Sequence, residues 1–246
     1  MTLDLPPNAG PDRDAAILQR ITDQQYDPIR WATLLSDFNQ HTAGFQVFAD
    51  ALMMDGVRIN CSAEVQQKIA DALDCLLLTP RLADLIWMQH ENTLPPFPRG
   101  NPVGMSTTQA MIDHSAKIDA ALAKFTAEPG LICTVGKHWV LDANFSKHPG
   151  MACNYGWHFQ GQDWTGAFEQ AVTRDPAGQP IKMIQGRGWR HDIHHTDYSQ
   201  TCVLAARACV VDGEHTTLGE VLQSQELAGL ASHQGVLILQ RQPGVP

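Results

Sequence analysis

Apolar residues recur with two different periods along this chain, and the period changes near its middle. Asp27-Pro28 supplies a helix N-cap and a first-turn proline. Trp31, Leu34, Leu35 and Phe38 follow at i, i+3, i+4 and i+7, a spacing that predicts an amphipathic helix. A short helix over 14–22 precedes it. Phe45–Phe48 and Val57–Ile59 flank Asp55-Gly56, which predicts a β-hairpin around a tight turn. Ser62 caps a helix whose inward stripe is Val65, Ile69, Leu73, Leu76 and Leu77. Thr79-Pro80 ends that helix and opens the next, with Leu82, Leu85 and Ile86 inward. The proline-rich stretch 94–104 predicts a loop. Ser106 with Gln109 then reads as a capping box ahead of a helix carrying Met111, Ile118, Leu122 and Phe125.

Beyond Gly130 alternation replaces the helical period. Strands are predicted at 131–135, 138–141, 154–159, 181–184, 201–211 and 236–240, with short helical pieces at 217–223 and 225–231. Helices first and strands later is the α+β pattern: a helical N-terminal half packed against a mostly antiparallel β-sheet in the C-terminal half. Residues 1–11, rich in Pro, Gly and Asp, are expected to form a flexible arm. Residues 12–246 are expected to form one domain, helical to about residue 128 and β-rich from about 129.

Composition narrows the function classes. Seventeen Lys+Arg against 26 Asp+Glu give a net charge of −9, which disfavours nucleic acid and anionic membrane surfaces as partners. No apolar run reaches the roughly 18 residues of a membrane span. The leading segment has neither a basic n-region nor an apolar h-region. A cytoplasmic protein as synthesised is the expectation, with signal-free export left open. Six cysteines without a CxxC spacing are expected as free thiols.

Histidine is the unusual entry, and it is concentrated. Seven of the 11 histidines and four of the six tryptophans fall between residues 131 and 215. The densest stretch is Gly188-Trp189-Arg190-His191-Asp192-Ile193-His194-His195-Thr196-Asp197-Tyr198-Ser199. On a strand, His191, His195 and Asp197 share a face; on a helix, His191 pairs with His194 or His195. Either arrangement permits a two-His-one-carboxylate site of the kind that takes zinc, so Zn²⁺ is the candidate cofactor. The same stretch is also readable as a polar loop of solvated imidazoles. The other candidate pieces are Tyr155-Gly156-Trp157-His158, where Gly156 leaves room beside His158, and Gly136-Lys137-His138-Trp139, where Lys137 could hold an anionic group. Cys153 with a later His and Asp197 has the order of a thiol nucleophile site, although its surroundings read as a strand. Ser199 is the candidate hydroxyl, without a Gly-x-Ser-x-Gly elbow.

Gly136-Lys137, the Tyr155–His158 strand, His191 and Asp197-Tyr198-Ser199, with a Thr79–Trp87 helix before them, resemble a functionally unassigned bacterial family. That family has a YGWH strand followed by a DYSHG or DYSQ segment. The resemblance runs from the hairpin to Val211 and picks out Lys137, Tyr155, His158, His191, Asp197, Tyr198 and Ser199. Gln200 departs from it by standing where many relatives have His, and 161–179 looks like an insertion. The association of such proteins with the cell envelope implies peptidoglycan as a substrate.

Three readings follow. The first is a hydrolase or acyl-transfer enzyme acting on an amide-containing polymer or a related small molecule. In it His158, His191, Asp197, Tyr198 and Ser199 are catalytic, and Lys137, Tyr155, Trp157 and Trp189 bind substrate. The second is a carbohydrate- or peptide-binding module with Trp139, Trp157, Trp164 and Trp189 as an aromatic platform. The third is an assembly protein that exposes apolar surface over Leu82–Met88.

Overall fold

A computed structural model describes residues 3–100, 103–125, 130–159, 171–175 and 177–245. In chain order its elements are α1 (Pro11–Thr22), β1 (Trp31–Phe38), β2 (His41–Phe48), β3 (Met53–Met54), β4 (Val57–Arg58), α2 (Ala63–Ala72), β5 (Cys75–Leu77), α3 (Pro80–Gln89), β6 (Asn92–Thr93), α4 (Thr108–Leu122), β7 (Ile132–Cys133), β8 (Lys137–Val140), β9 (Met151–Phe159), β10 (Ala171–Arg174), β11 (Pro180–Asp192), β12 (Leu204–Val211), β13 (Glu214–Thr217) and α5 (Leu218–Gln223). The class is α+β. Of the two larger sheets, both antiparallel, one has the order β1-β2-β12-β13 with β5 also paired to β12, and the other has the order β10-β11-β9-β8; β3-β4 and β6-β7 form two-stranded pairs.

The N-terminal half contributes strands as well as helices, and the first of them corrects the helix expected at Trp31–Phe38. That segment is β1, paired residue for residue with β2 from Trp31↔Phe48 to Phe38↔His41. Asn39 and Gln40, at φ +48° and +69°, close a two-residue turn of the kind whose twist suits a hairpin. Pairing buries Leu34 and leaves Leu35 outward and 67% exposed. The i, i+3, i+4, i+7 spacing is therefore a coincidence that cross-strand bonding overrides. Gln89 on α3 caps the open edge of β1, its Nε2 donating to Leu35 O (2.6 Å) and its Oε1 accepting from Leu35 N (2.9 Å).

Asp55-Gly56 does turn a hairpin, between β3 and β4, whereas Phe45–Phe48 belongs to β2. Ser62 and Thr79 cap α2 and α3 by accepting from Val65 N and Leu82 N. The α2 helix stops before Cys75–Leu77, which is strand β5. Thr107, not Ser106, caps α4 by accepting from Ala110 N. The 236–240 segment forms no strand. The leading segment expected as a loose arm has Leu3 buried, and Ala9 N donates to Ser106 O (2.9 Å). Leu82, Leu85 and Ile86 are buried, so α3 turns these side chains into the core and not outward as an assembly surface.

The two sheets are stitched together beside the candidate residues. Leu77 on β5 pairs with Leu204 on β12, while the next residue, Leu78, bridges Val140 on β8. The 197–201 segment, just before β12, runs alongside the start of β8: Lys137 bridges Gln200, and Lys137 N donates to Ser199 O (2.6 Å). Gly136 permits this approach, because a Cβ there would lie 2.4 Å from Ser199 O.

Candidate functional site

Two irregularities shape the site. Within β9, Gly156 (φ +106°) and Trp157 (φ +58°) break the regular alternation. Within β11, register shifts fall between Gln185 and Gly188 and between Gly188 and His191. Such bulges re-aim side chains. Trp157 accordingly packs edge-on to His114 and Tyr198, while Tyr155 and His158 both reach Asp84 on α3.

A cavity of 540 Å³ opens between these elements. Six residues singled out from the sequence line it together: Lys137, Trp157, His191, Asp197, Tyr198 and Ser199. Arg187 and Arg190 from β11 add positive charge to the same wall. A larger cavity, of 590 Å³, beside β1, β2 and α3 contains none of the candidate residues.

Asp197 is the hub. Lys137 Nζ donates to its Oδ2 (2.8 Å); Ser199 Oγ (2.6 Å) and Ser199 N (2.8 Å) donate to its Oδ1. Burial works against a charged carboxylate here. The Lys137 ammonium and the Ser199 donors outweigh it and hold the Asp197 pKa below its ordinary value. The loop is pinned from outside by Asn60 Nδ2, which donates to Asp197 O (2.5 Å), and by Arg99 N, which donates to the Tyr198 hydroxyl (2.6 Å), and from within by Asp197 N donating to Gln200 Oε1 (2.6 Å). Burial raises the Tyr198 phenol to about 12, so it stays protonated near neutral pH.

His191 lies one residue before the end of β11, and a turn over Ile193-His194 returns the chain so that His195 stacks on His191. The ring centroids are 3.7 Å apart and the rings are 7° from parallel. The stretch is strand only as far as Asp192, so it is neither the continuous strand nor the helix on which the metal reading depended. Stacked rings present parallel edges, and Asp197 Oδ2, 4.0 Å from His195 Nε2, is already taken by Lys137. Among the described residues no group of three His, Cys, Asp or Glu side chains is placed to hold a metal ion, so His191, His195 and Asp197 do not form the expected zinc set. Burial, then the His195 ring and the Lys137 charge, lower the His191 pKa against the opposing pull of Asp197 and Asp192. Burial and Lys137 lower that of His195 as well, against Asp197. Both imidazoles are thereby biased toward the neutral form, which can accept a proton.

Other expected residues lie elsewhere. His158 and Tyr155 belong to the Asp84 cluster, with Nε2 and the hydroxyl each 2.8 Å from Asp84 Oδ1. The irregularity at Gly156 and Trp157 is what parts Tyr155 from Trp157 and turns it to the same side as His158. Trp189 stacks on His148 (4.4 Å) and meets Phe145, away from the cavity wall. Trp139 is fully buried, its Nε1 donating to Cys61 O, and Trp157 is 3% exposed. These two form no exposed platform, and Trp164 lies outside the described residues. Cys153 is buried beside Asp142, and burial and that carboxylate push its thiol pKa up, the opposite of an activated nucleophile.

Asp84 was not singled out from the sequence, though an acid inside the apolar stripe Leu82-Ala83-Asp84-Leu85-Ile86 was the available signal. Its partner His233 and the buried Asp142 carry no such local mark. Comparison with protein-family models, with curated proteins and with solved structures finds no match to this chain.

Proposed function

We propose that the chain is a hydrolase or acyl-transfer enzyme acting on an amide-containing polymer such as peptidoglycan. Its working site is the 540 Å³ cavity of Lys137, His191, Asp197 and Ser199. The observation that carries this reading is a proton-accepting imidazole, His191, in the same cavity wall as a group of cations, in a protein of net charge −9.

In this reading His191 is the general base. It takes a proton from water as the water oxygen attacks the amide carbon, and the carbon–oxygen π electrons move onto the carbonyl oxygen. The resulting oxyanion faces the positive wall supplied by Arg190 and Lys137. On collapse the carbon–nitrogen bond breaks and the imidazolium returns the proton to the leaving amine. With an amine in place of water the same steps give acyl transfer. Asp197 positions Lys137 and Ser199, and Trp157 and Tyr198 form the floor against which the substrate backbone packs.

Incubation with purified peptidoglycan, followed by labelling of newly freed amines, tests the proposal. The wild-type protein should release amines with time. His191→Ala should lower the rate at least about 100-fold, the scale of a lost acid–base group, with the thermal midpoint nearly unchanged. Absence of release by the wild type, or full activity in a folded His191→Ala variant, would overturn it.

A further inference from the structure

Two buried carboxylates outside this cavity hold donors at the rim of a second one. The second cavity, of 330 Å³, is lined by Tyr155, Arg187, His233 and Gln234 among others, and none of its described lining residues is acidic. Asp84, 1% exposed, accepts from Tyr155 Oη through Oδ1 (2.8 Å) and from His233 Nε2 through Oδ2 (2.9 Å). Asp142, also 1% exposed, accepts from Gln234 Nε2 through Oδ1 (3.1 Å) and from Arg187 through Oδ2 (3.4 Å).

Each carboxylate is thus turned inward and orients hydrogen-bonding groups around the opening. Arg187 and His233 remain open to solvent, with side chains 45% and 38% exposed. The guanidinium has N–H groups beyond the one directed at Asp142, and the Gln234 amide has a second hydrogen. The chemistry left facing the cavity is the Arg187 charge and the free N–H groups of Arg187 and Gln234, joined by His233 Nδ1–H when that ring is protonated, all held in place by groups the ligand never touches.

We propose that this second cavity binds a small oxyanion, a carboxylate or phosphate group, between Arg187 and Gln234, with the protonated ring of His233 as a third donor. The proposal does not rest on catalysis in the first cavity and goes beyond it. Arg187 lines both cavities, whereas His233 and Gln234 line only the second. Variants at these positions therefore separate the two locations.

The test is titration of the full chain with inorganic phosphate and, separately, with succinate, followed by NMR of the arginine and glutamine side-chain N–H groups. Saturable shifts at Arg187 and Gln234 are expected with at least one probe, and the tighter probe identifies the source of the oxyanion. Arg187→Met should weaken binding about tenfold, the scale of one charge-assisted hydrogen bond. His233→Gln should weaken it several-fold, and Gln234→Ala provides the same readout should the His233 variant fold poorly. Absence of saturable binding by either probe overturns the proposal. So does binding that Arg187→Met weakens while folded His233→Gln and Gln234→Ala leave it unchanged, since the anion would then sit in the first cavity.

Discussion

Replacing Lys137 by Met removes the counter-ion of Asp197 while keeping most of the side chain's volume. The ion pair is short, 2.8 Å, and both side chains are 12% exposed. At an effective dielectric of about 20 the gross attraction at that distance is about 6 kcal/mol. Desolvation of the ammonium offsets a large part of it. Asp197 Oδ1 keeps both Ser199 donors, but Oδ2 is left with only His195 Nε2, 4.0 Å away. Breaking a buried pair costs about 3–5 kcal/mol, and the residual exposure places Lys137→Met at the lower end, about 3 kcal/mol. Asp197→Asn alone leaves the Lys137 ammonium, equally buried, without its counter-ion and should cost a comparable amount. The coupling between the two substitutions should be about 2 kcal/mol. Urea unfolding followed by tryptophan fluorescence, on the wild type, both single variants and the double variant, measures it.

The sign with pH follows from the same pair. The folded pKa of Asp197 is depressed, so its contribution to stability is present above the unfolded value of about 3.9 and is lost as pH falls through the folded one. Lys137→Met should weaken that part of the acid dependence. A coupling below about 0.5 kcal/mol, the range of an exposed surface pair, would refute the reasoning that Asp197 is the buried hub of the site.

Three further outcomes are expected. Burial lowers His114 and His138 to about 3, so folding favours their neutral forms; the stability they confer is complete above the unfolded value of about 6.5 and is lost as pH falls toward 3. A thermal-midpoint scan should show this loss reduced in His114→Phe, and an unchanged acid limb would count against it. Gln40→Gly relieves a positive φ of 69° in the β1–β2 turn and should raise stability by about 1 kcal/mol, or about 2–4 °C in the thermal midpoint; no gain would contradict the turn assignment. The kcat/KM for amide hydrolysis should rise with pH to a plateau, with a midpoint below the ordinary histidine value, because burial, His195 and Lys137 depress His191. A midpoint well above that value would exclude His191 as the base.

Much of the local structure was legible because its causes are local. Ser62 and Thr79 cap the helices expected of them, and alternation located the strand around Tyr155. Two of the failures share one physical source. Trp31–Phe38 and Cys75–Leu77 carry apolar spacings compatible with a helix, and only pairing with β2 and β12, distant in sequence, makes them strands. The site divides the same way. His191, Asp197, Tyr198 and Ser199 lie in one dense stretch, and the alignment of β8 beside it brings in Lys137. That Asp84 gathers Tyr155, His158 and His233 depends on packing between elements up to 149 positions apart, which no local pattern encodes. The strand period also placed Tyr155 and Trp157 together, and the left-handed backbone at Gly156 and Trp157 parts them.

The most direct measurement is digestion of purified peptidoglycan in heavy-oxygen water by the wild-type protein and by His191→Ala, with the products analysed by mass spectrometry. The wild type should yield cleaved fragments whose new carboxyl groups carry the heavy oxygen, and the folded variant should yield almost none. Intact polymer with the wild type, or the same labelled fragments from both proteins, would contradict a catalytic cavity centred on His191.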